Sequence, residues 1–173
     1  NSIVKTAPNK QLFKDELFSY MEENFLDGNI IVVGDGKLAS KSDAIKIREI
    51  LKSNDSISSV HIIMPEDGYI KKEKFTEVLK PNMKNTVVIV TSDNIIVASA
   101  INSLISLPEE TTATVFAFEK SSAFNQIDNM KHAQLGFTYV SDAYVKENAI
   151  EAKAFNRKYK AKNGALPSSY AIK

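Results

Sequence analysis

At 173 residues, with 43% apolar and 25% charged residues, the chain has room for one domain with a single core. That composition excludes a disordered chain, and apolar runs of only about six residues are too short to span a bilayer. Its 22 Lys and Arg against 21 Asp and Glu argue against a nucleic-acid or other polyanion surface, and the absence of cysteine excludes thiol catalysis, cysteine-ligated metals and disulfides.

The start, Asn1-Ser2-Ile3-Val4-Lys5, lacks the apolar length and cleavage pattern of a signal peptide. Beginning without Met, the chain is expected to be a processed product or an excised piece. From Asn9 to Phe25, Leu12, Phe13, Leu17, Tyr20, Met21 and Phe25 recur at helical spacing, with Asn9 as N-cap. Asp27-Gly28 ends that helix. Asn29-Ile30-Ile31-Val32-Val33 then forms a short β-branched run, the pattern of a strand buried on both faces. Gly34-Asp35-Gly36 stops it.

A second helix is predicted from about Ser42 to Asn54, with Ile47, Ile50 and Leu51 inward. The strand Val60-His61-Ile62-Ile63-Met64 follows and is closed by Pro65. A short helix at 71–79 buries Phe75, Val78 and Leu79 and ends at Pro81-Asn82. Thr86-Val87-Val88-Ile89-Val90 is the clearest strand, followed by Thr91-Ser92-Asp93, where Ser92 or Asp93 caps a helix over 94–107. Thr114-Val115-Phe116-Ala117-Phe118 is the fourth strand, with a helix near 122–131 behind it. Phe137-Thr138-Tyr139-Val140 is the fifth, and a last helix covers about 146–162 before Asn163-Gly164. This alternation predicts one three-layer α/β domain over residues 1–173, built on a doubly wound parallel sheet of about five strands. Such sheets bind ligands at the carboxyl ends of their strands, where the strand order reverses.

Several motifs invite chemistry. Gly34-Asp35-Gly36-Lys37-Leu38-Ala39 matches G-x-G-x-x-G/A between a strand and a helix, the pattern of a dinucleotide turn. Asp35 would set a carboxylate beside the phosphates, and Glu66 comes later than the fingerprint expects of its acidic residue. Lys37, Ser40, Lys41 and Ser42 lack phosphate-loop spacing, so Ser40 or Ser42 reads as a helix cap. The two histidines, His61 and His132, have no carboxylate cluster at ligand spacing, so no metal or cofactor is expected. No G-x-S-x-G elbow is present. A phosphoacceptor domain would need an acidic pair after the first strand, which is missing.

The most specific segment is C-terminal. Phe155, Tyr159, Gly164, Pro167, Tyr170 and Ala171 fall on an F-x-x-x-Y…G-x-x-P-s-x-Y-A pattern that resembles the type 1 periplasmic binding proteins, the branched-chain amino-acid receptor group. Val4-Lys5-Thr6-Ala7-Pro8 is similar to the extended entry into the second lobe of such receptors. The helix at 12–25, the segment 29–51 and the crossover near 139–144 follow in the family's order. The resemblance covers the chain as a second lobe only; the Gly-aromatic-Asp triplet that usually comes next would lie just past Lys173.

The resemblance implies a Rossmann-like lobe with strand order 2-1-3-4-5, and binding rather than catalysis. Asp35 falls on the acidic turn after the first strand. Glu66 falls near the carboxylate that meets a ligand ammonium, and Thr91, Ser92 and Asp93 stand at the cleft-facing edge after the third strand. The implied partners are a small polar solute, amino-acid-like, the first lobe of the same polypeptide, and an ABC transporter or sensor. The implied location is periplasmic or envelope-anchored. Ala39 and Ser40 replace the aromatic-Gly pair that usually opens the next helix and contacts ligand. Two alternatives stand beside this reading: a nucleotide-dependent cytoplasmic enzyme using Gly34–Ala39, and a degenerate interaction module of the cell envelope.

Overall fold

The apolar run after Asn29 becomes the middle of a sheet. In the computed structural model, which describes residues 10–25, 27–140 and 150–164, β1 (Gly28–Val33) lies between β2 (Ile57–Ile63) and β3 (Asn85–Ile89). β4 (Thr114–Ala117) and β5 (Thr138–Tyr139) continue outward from β3, every neighbouring pair is parallel, and the order is 2-1-3-4-5. The arrangement is Rossmann-like, as the sequence predicts. Ile30, Ile31, Val32 and Val33 are each wholly buried.

The two-residue period of a strand sends these side chains alternately to opposite faces. On one face Ile30, Val32, Val88 and Phe116 meet Leu17, Phe18 and Met21 of α1 (Lys10–Asn24) and Ile47 and Leu51 of α2 (Leu38–Lys52). Tyr20 of α1 stacks on Phe116, with ring centroids 5.6 Å apart. On the other face Ile31, Val33, Val87, Ile89 and Val115 meet Phe75 of α3 (Lys72–Val78) and Ile96, Ile101 and Leu104 of α4 (Asn94–Ile105). Each aliphatic side chain fully buried in these layers contributes about 1.5–3 kcal/mol. Because α2 lies on one face and α3 and α4 on the other, the strand order reverses between β1 and β3. Their carboxyl ends form the switch point.

At the opposite, amino end, two buried asparagines tie the same strands. The Asn29 amide donates to Val78 O at 2.8 Å and to Asn85 Oδ1 at 2.9 Å, and Ser59 Oγ donates to Asn29 Oδ1. Asn85 accepts from the Lys80 N–H, and its own amide faces the carbonyls of Lys80, Met83 and Thr112. These side chains satisfy loop backbone groups that no strand or helix can reach.

Three boundaries differ from the sequence expectation. α2 begins at Leu38, one turn before Ser42, and neither Ser40 nor Ser42 caps it; the N-cap is Lys37, without a side-chain cap bond. The Ser40 hydroxyl is instead bonded to Asp35, which pulls the first helical turn back toward the strand. The helix expected over 122–131 is two elements, a 3₁₀-helix at Ser122–Gln126 and α5 at Asn129–Gln134. Ser121 caps the first, and Asp128, which caps the second through the Met130 N–H, interrupts them. β2 starts at Ile57, three residues before the apolar run.

Residues 1–140 form one compact unit and 141–173 a second. In the second, α6 (Ile150–Asn163) carries Phe155 and Tyr159 with ring centroids 5.8 Å apart, and Gly164 closes it through an N–H to Lys160 O. Asn9, the entry segment 4–8, the start of the last helix at 146–149 and the residues Pro167, Tyr170 and Ala171 lie outside the described residues.

The asparagine network makes a direct prediction. Asn85→Ala strands the Lys80 N–H and one of the two Asn29 amide hydrogens in a buried site, so urea denaturation should show a loss of about 2–4 kcal/mol. A loss below about 1 kcal/mol would mean that water replaces the side chain without difficulty.

Candidate functional site

The carboxyl ends of β1 and β3 bring together residues that lie far apart in the chain. Gly34 leaves the sheet beside Met64, and a Cβ there would stand 3.0 Å from the Met64 thioether and 3.1 Å from Ser40 Oγ. Its missing side chain gives the Ser40 hydroxyl room to reach across the turn. Ser40 Oγ donates to Asp35 Oδ1 at 2.5 Å, the Lys37 N–H donates to the same oxygen at 2.9 Å, and Thr91 Oγ1 donates to Asp35 Oδ2 at 3.0 Å. The Lys37 ammonium stands 3.4 Å from Asp35 Oδ2 and 3.8 Å from Asp93 Oδ2. Asp35 thereby clasps the loop after β1 to the loop after β3.

The Asp35 side chain is only 11% exposed. Burial pushes its carboxyl up, but the bonds from Ser40, the Lys37 N–H, Thr91 and the Lys37 ammonium outweigh that and bring it down to about 2. A carboxylate so acidic, with its lone pairs already engaged, is a poor general base near neutral pH. Asp93 has a divided task. Its Oδ1 caps α4 by accepting from the Ile95 and Ile96 N–H groups, while Oδ2 faces Lys37. Its own N–H donates to Thr91 Oγ1 at 3.1 Å. Ser92 is exposed beside them.

Glu66 stands apart from this group. It opens a two-residue hairpin, Glu66-Asp67-Gly68-Tyr69, in which Glu66 and Tyr69 exchange backbone hydrogen bonds at 3.2 Å. Asp67 and Gly68 have φ of 54° and 84°, and such Asp-Gly pairs tolerate the left-handed region. The Glu66 carboxylate is exposed and pairs with Lys74 at 2.7 Å and Lys71 at 3.8 Å, both at the start of α3. The hydrogen bond and charge of Lys74 lower its pKa. Among the described residues, no hydrogen bond or ion pair joins it to Asp35, Thr91 or Asp93.

Of the five candidate residues, the structure gathers Asp35, Thr91 and Asp93, leaves Ser92 at the rim and sets Glu66 on a neighbouring turn. Sequence reasoning misses Lys37 and Ser40 as partners of Asp35; the signal is their spacing of two and five residues from it, across a turn and into a helix. It also misses two apolar side chains beside them. Leu38, first in α2, is 86% exposed, and Ile95, in the first turn of α4, is 67% exposed. No family model, curated protein or solved structure matches the chain.

The clasp has a signed pH dependence. The Asp35 carboxyl is more acidic folded than its ordinary 3.8, so its ionised form stabilises the fold. That contribution is complete above the ordinary value and disappears as pH falls through about 2. Asp35→Ala leaves the buried Thr91 hydroxyl without its acceptor and Ser40 with only the Lys37 carbonyl at 3.1 Å, and should lower stability by about 1–3 kcal/mol at pH 7. Denaturant titrations of both proteins from pH 7 downward should show the gap narrowing below pH 4; a gap constant to pH 2 would mean that the charge contributes nothing.

Proposed function

We propose that this chain is a ligand-binding lobe of an extracytoplasmic solute receptor, and that its carboxyl edge forms one wall of the site for a small polar, amino-acid-like solute. The observation that carries the reading is the composition of the switch point. Lys37 and Asp93 offer opposite charges to solvent there, the exposed Leu38 and Ile95 flank them, and Asp35 holds both loops in place. A solute bearing both charge signs and an apolar part matches that set of groups. The resemblance of the C-terminal segment to type 1 periplasmic binding proteins supports the same reading, and periplasmic or envelope-anchored location follows from it.

The second wall is another lobe of the same polypeptide, brought down by hinge closure. Transfer of the solute to an ABC transporter or a sensor completes the proposed role. The dinucleotide alternative meets an obstacle in the turn itself. The Asp35 carboxylate already accepts the Lys37 N–H at the mouth of α2, where a pyrophosphate would approach, and adds a like charge. The open ledge suits binding by closure, because charges in contact with water gain strength only once water is excluded.

Titration of the isotopically labelled chain with amino acids, followed by NMR, tests this. Shifts are expected at the amides of 35–40 and 91–96, saturating no tighter than millimolar because only one wall is present. Micromolar affinity in the chain alone would refute the single-wall reading. Shifts of the same amides by a dinucleotide but not by amino acids would favour the enzyme.

A further inference from the structure

The two edges of the sheet are unlike. β5 is two residues long, which by itself limits pairing with another chain. β2 is seven residues long, Ile57-Ser58-Ser59-Val60-His61-Ile62-Ile63, and pairs only with β1 among the described residues. It contains no Lys, Arg or Pro to blunt the edge, and its one irregularity, a register shift at Ser58, leaves the stretch from Ser59 to Ile63 regular.

The ladder fixes which backbone groups of β2 are free. The Gly34 N–H donates to Ile63 O, and Val32 and Ile30 lie in register with Ile62 and Val60. Alternate residues of a parallel strand bond to one neighbour, so the groups at 59, 61 and 63 turn toward β1. Those of Val60 and Ile62 turn outward, with Ser58 before them as the extra residue of a bulge where the register shifts between Gly28 and Asn29, and no described backbone group meets them.

We propose that this edge pairs with β2 of a second copy of the chain, antiparallel about a two-fold axis through Val60. In that register the outward residues meet one another, Val60 with Val60 and Ser58 with Ile62, as hydrogen-bonded pairs. The Val60 pair exchanges both N–H···O bonds, and with the Ile62 groups facing Ser58 the seam makes about four to six bonds in all. A register shifted by one residue would set outward groups against groups already bonded to β1, and one with the axis at Ser59 or His61 would lose an outward pair, so the axis through Val60 matches the most groups. Ile57 also falls opposite Ile63, matching apolar ends.

The flank of the strand supplies charge complementarity. A groove of about 480 Å³ runs between α2 and β2, lined by Arg48, Glu49 and Lys52 on the helix and Ile57, Ser58, Ser59 and Val60 on the strand. It carries both signs on one patch. A two-fold axis lays α2 against its own copy in the opposite direction and brings Glu49 of each chain to the cations of the other. The result is a continuous sheet of ten strands, with both carboxyl edges left open.

The chain has no cysteine, so a single Val60→Cys reports the axis directly. Hydrogen-bonded antiparallel partners have Cα atoms about 5.5 Å apart, inside disulfide range. Mild oxidation should convert Val60→Cys into a covalent dimer, and leave Ser19→Cys, on the outer surface of α1, monomeric. Sedimentation equilibrium should show the unsubstituted chain dimeric at about 100 μM, with Glu49→Lys weakening the dimer about tenfold. Val60→Pro removes an outward donor without touching the bonds to β1 and should give a folded monomer. A chain monomeric at about 500 μM would overturn the proposal. So would a dimer that Glu49→Lys leaves unchanged and that Val60→Cys links no faster than Ser19→Cys.

Discussion

A strand with no polar side chain from Ile30 to Val33 must be covered on both faces, and most of this architecture follows from that requirement. Covering it takes helices on opposite sides of the sheet: the crossover from β1 to β2 passes over one face through α2, and the crossover from β2 to β3 passes over the other through α3. The gap between the outgoing loops of β1 and β3 is thus a by-product of burying β1. Asp35, Lys37, Ser40, Thr91 and Asp93 occupy that gap, and their meeting depends on the hydrophobic core beneath them.

Within the gap, geometry divides two kinds of polar residue. Asp35 and Thr91 are consumed by bonds within the protein, and their chemistry is holding two loops together. Lys37 and Asp93 retain surface that an external group can reach. A carboxylate after a strand therefore carries no functional meaning until its partners are counted. Glu66 makes the same point in reverse, since its charge is answered by lysines at the start of α3.

The order of elements is legible in the sequence because apolar runs and helical stripes alternate cleanly and the breaks carry Gly, Pro or Asp. What escapes is decided by bonds between distant side chains or by competition at a terminus. Ser40 looks like a helix cap until the Asp35 carboxylate, five residues earlier, claims its hydroxyl. The start of β2 is hidden because Ser58 and Ser59 interrupt its apolar pattern, although Ser59 is needed to bond the buried Asn29. The helix after β4 breaks because Asp128 offers its side chain to a backbone N–H, a local contest that periodicity does not register. For the site, three of five residues gather where sheet topology puts strand ends side by side. Glu66 does not join them, because an Asp-Gly turn lifts its segment into a hairpin.

The asparagine pair at one end of β1 and β3 and the aspartate clasp at the other fasten the same two strands twice, six residues apart along each, from Asn29 to Asp35 and from Asn85 to Thr91. Between these staples the strands have little freedom to slide or splay. The backbone positions of Lys37 and Asp93 are therefore settled during folding, while the Lys37 side chain, 71% exposed, keeps its own freedom. For the solute proposed above, the loops that form this wall would need little further ordering. Selectivity at such a ledge is a property of rigidity as much as of charge.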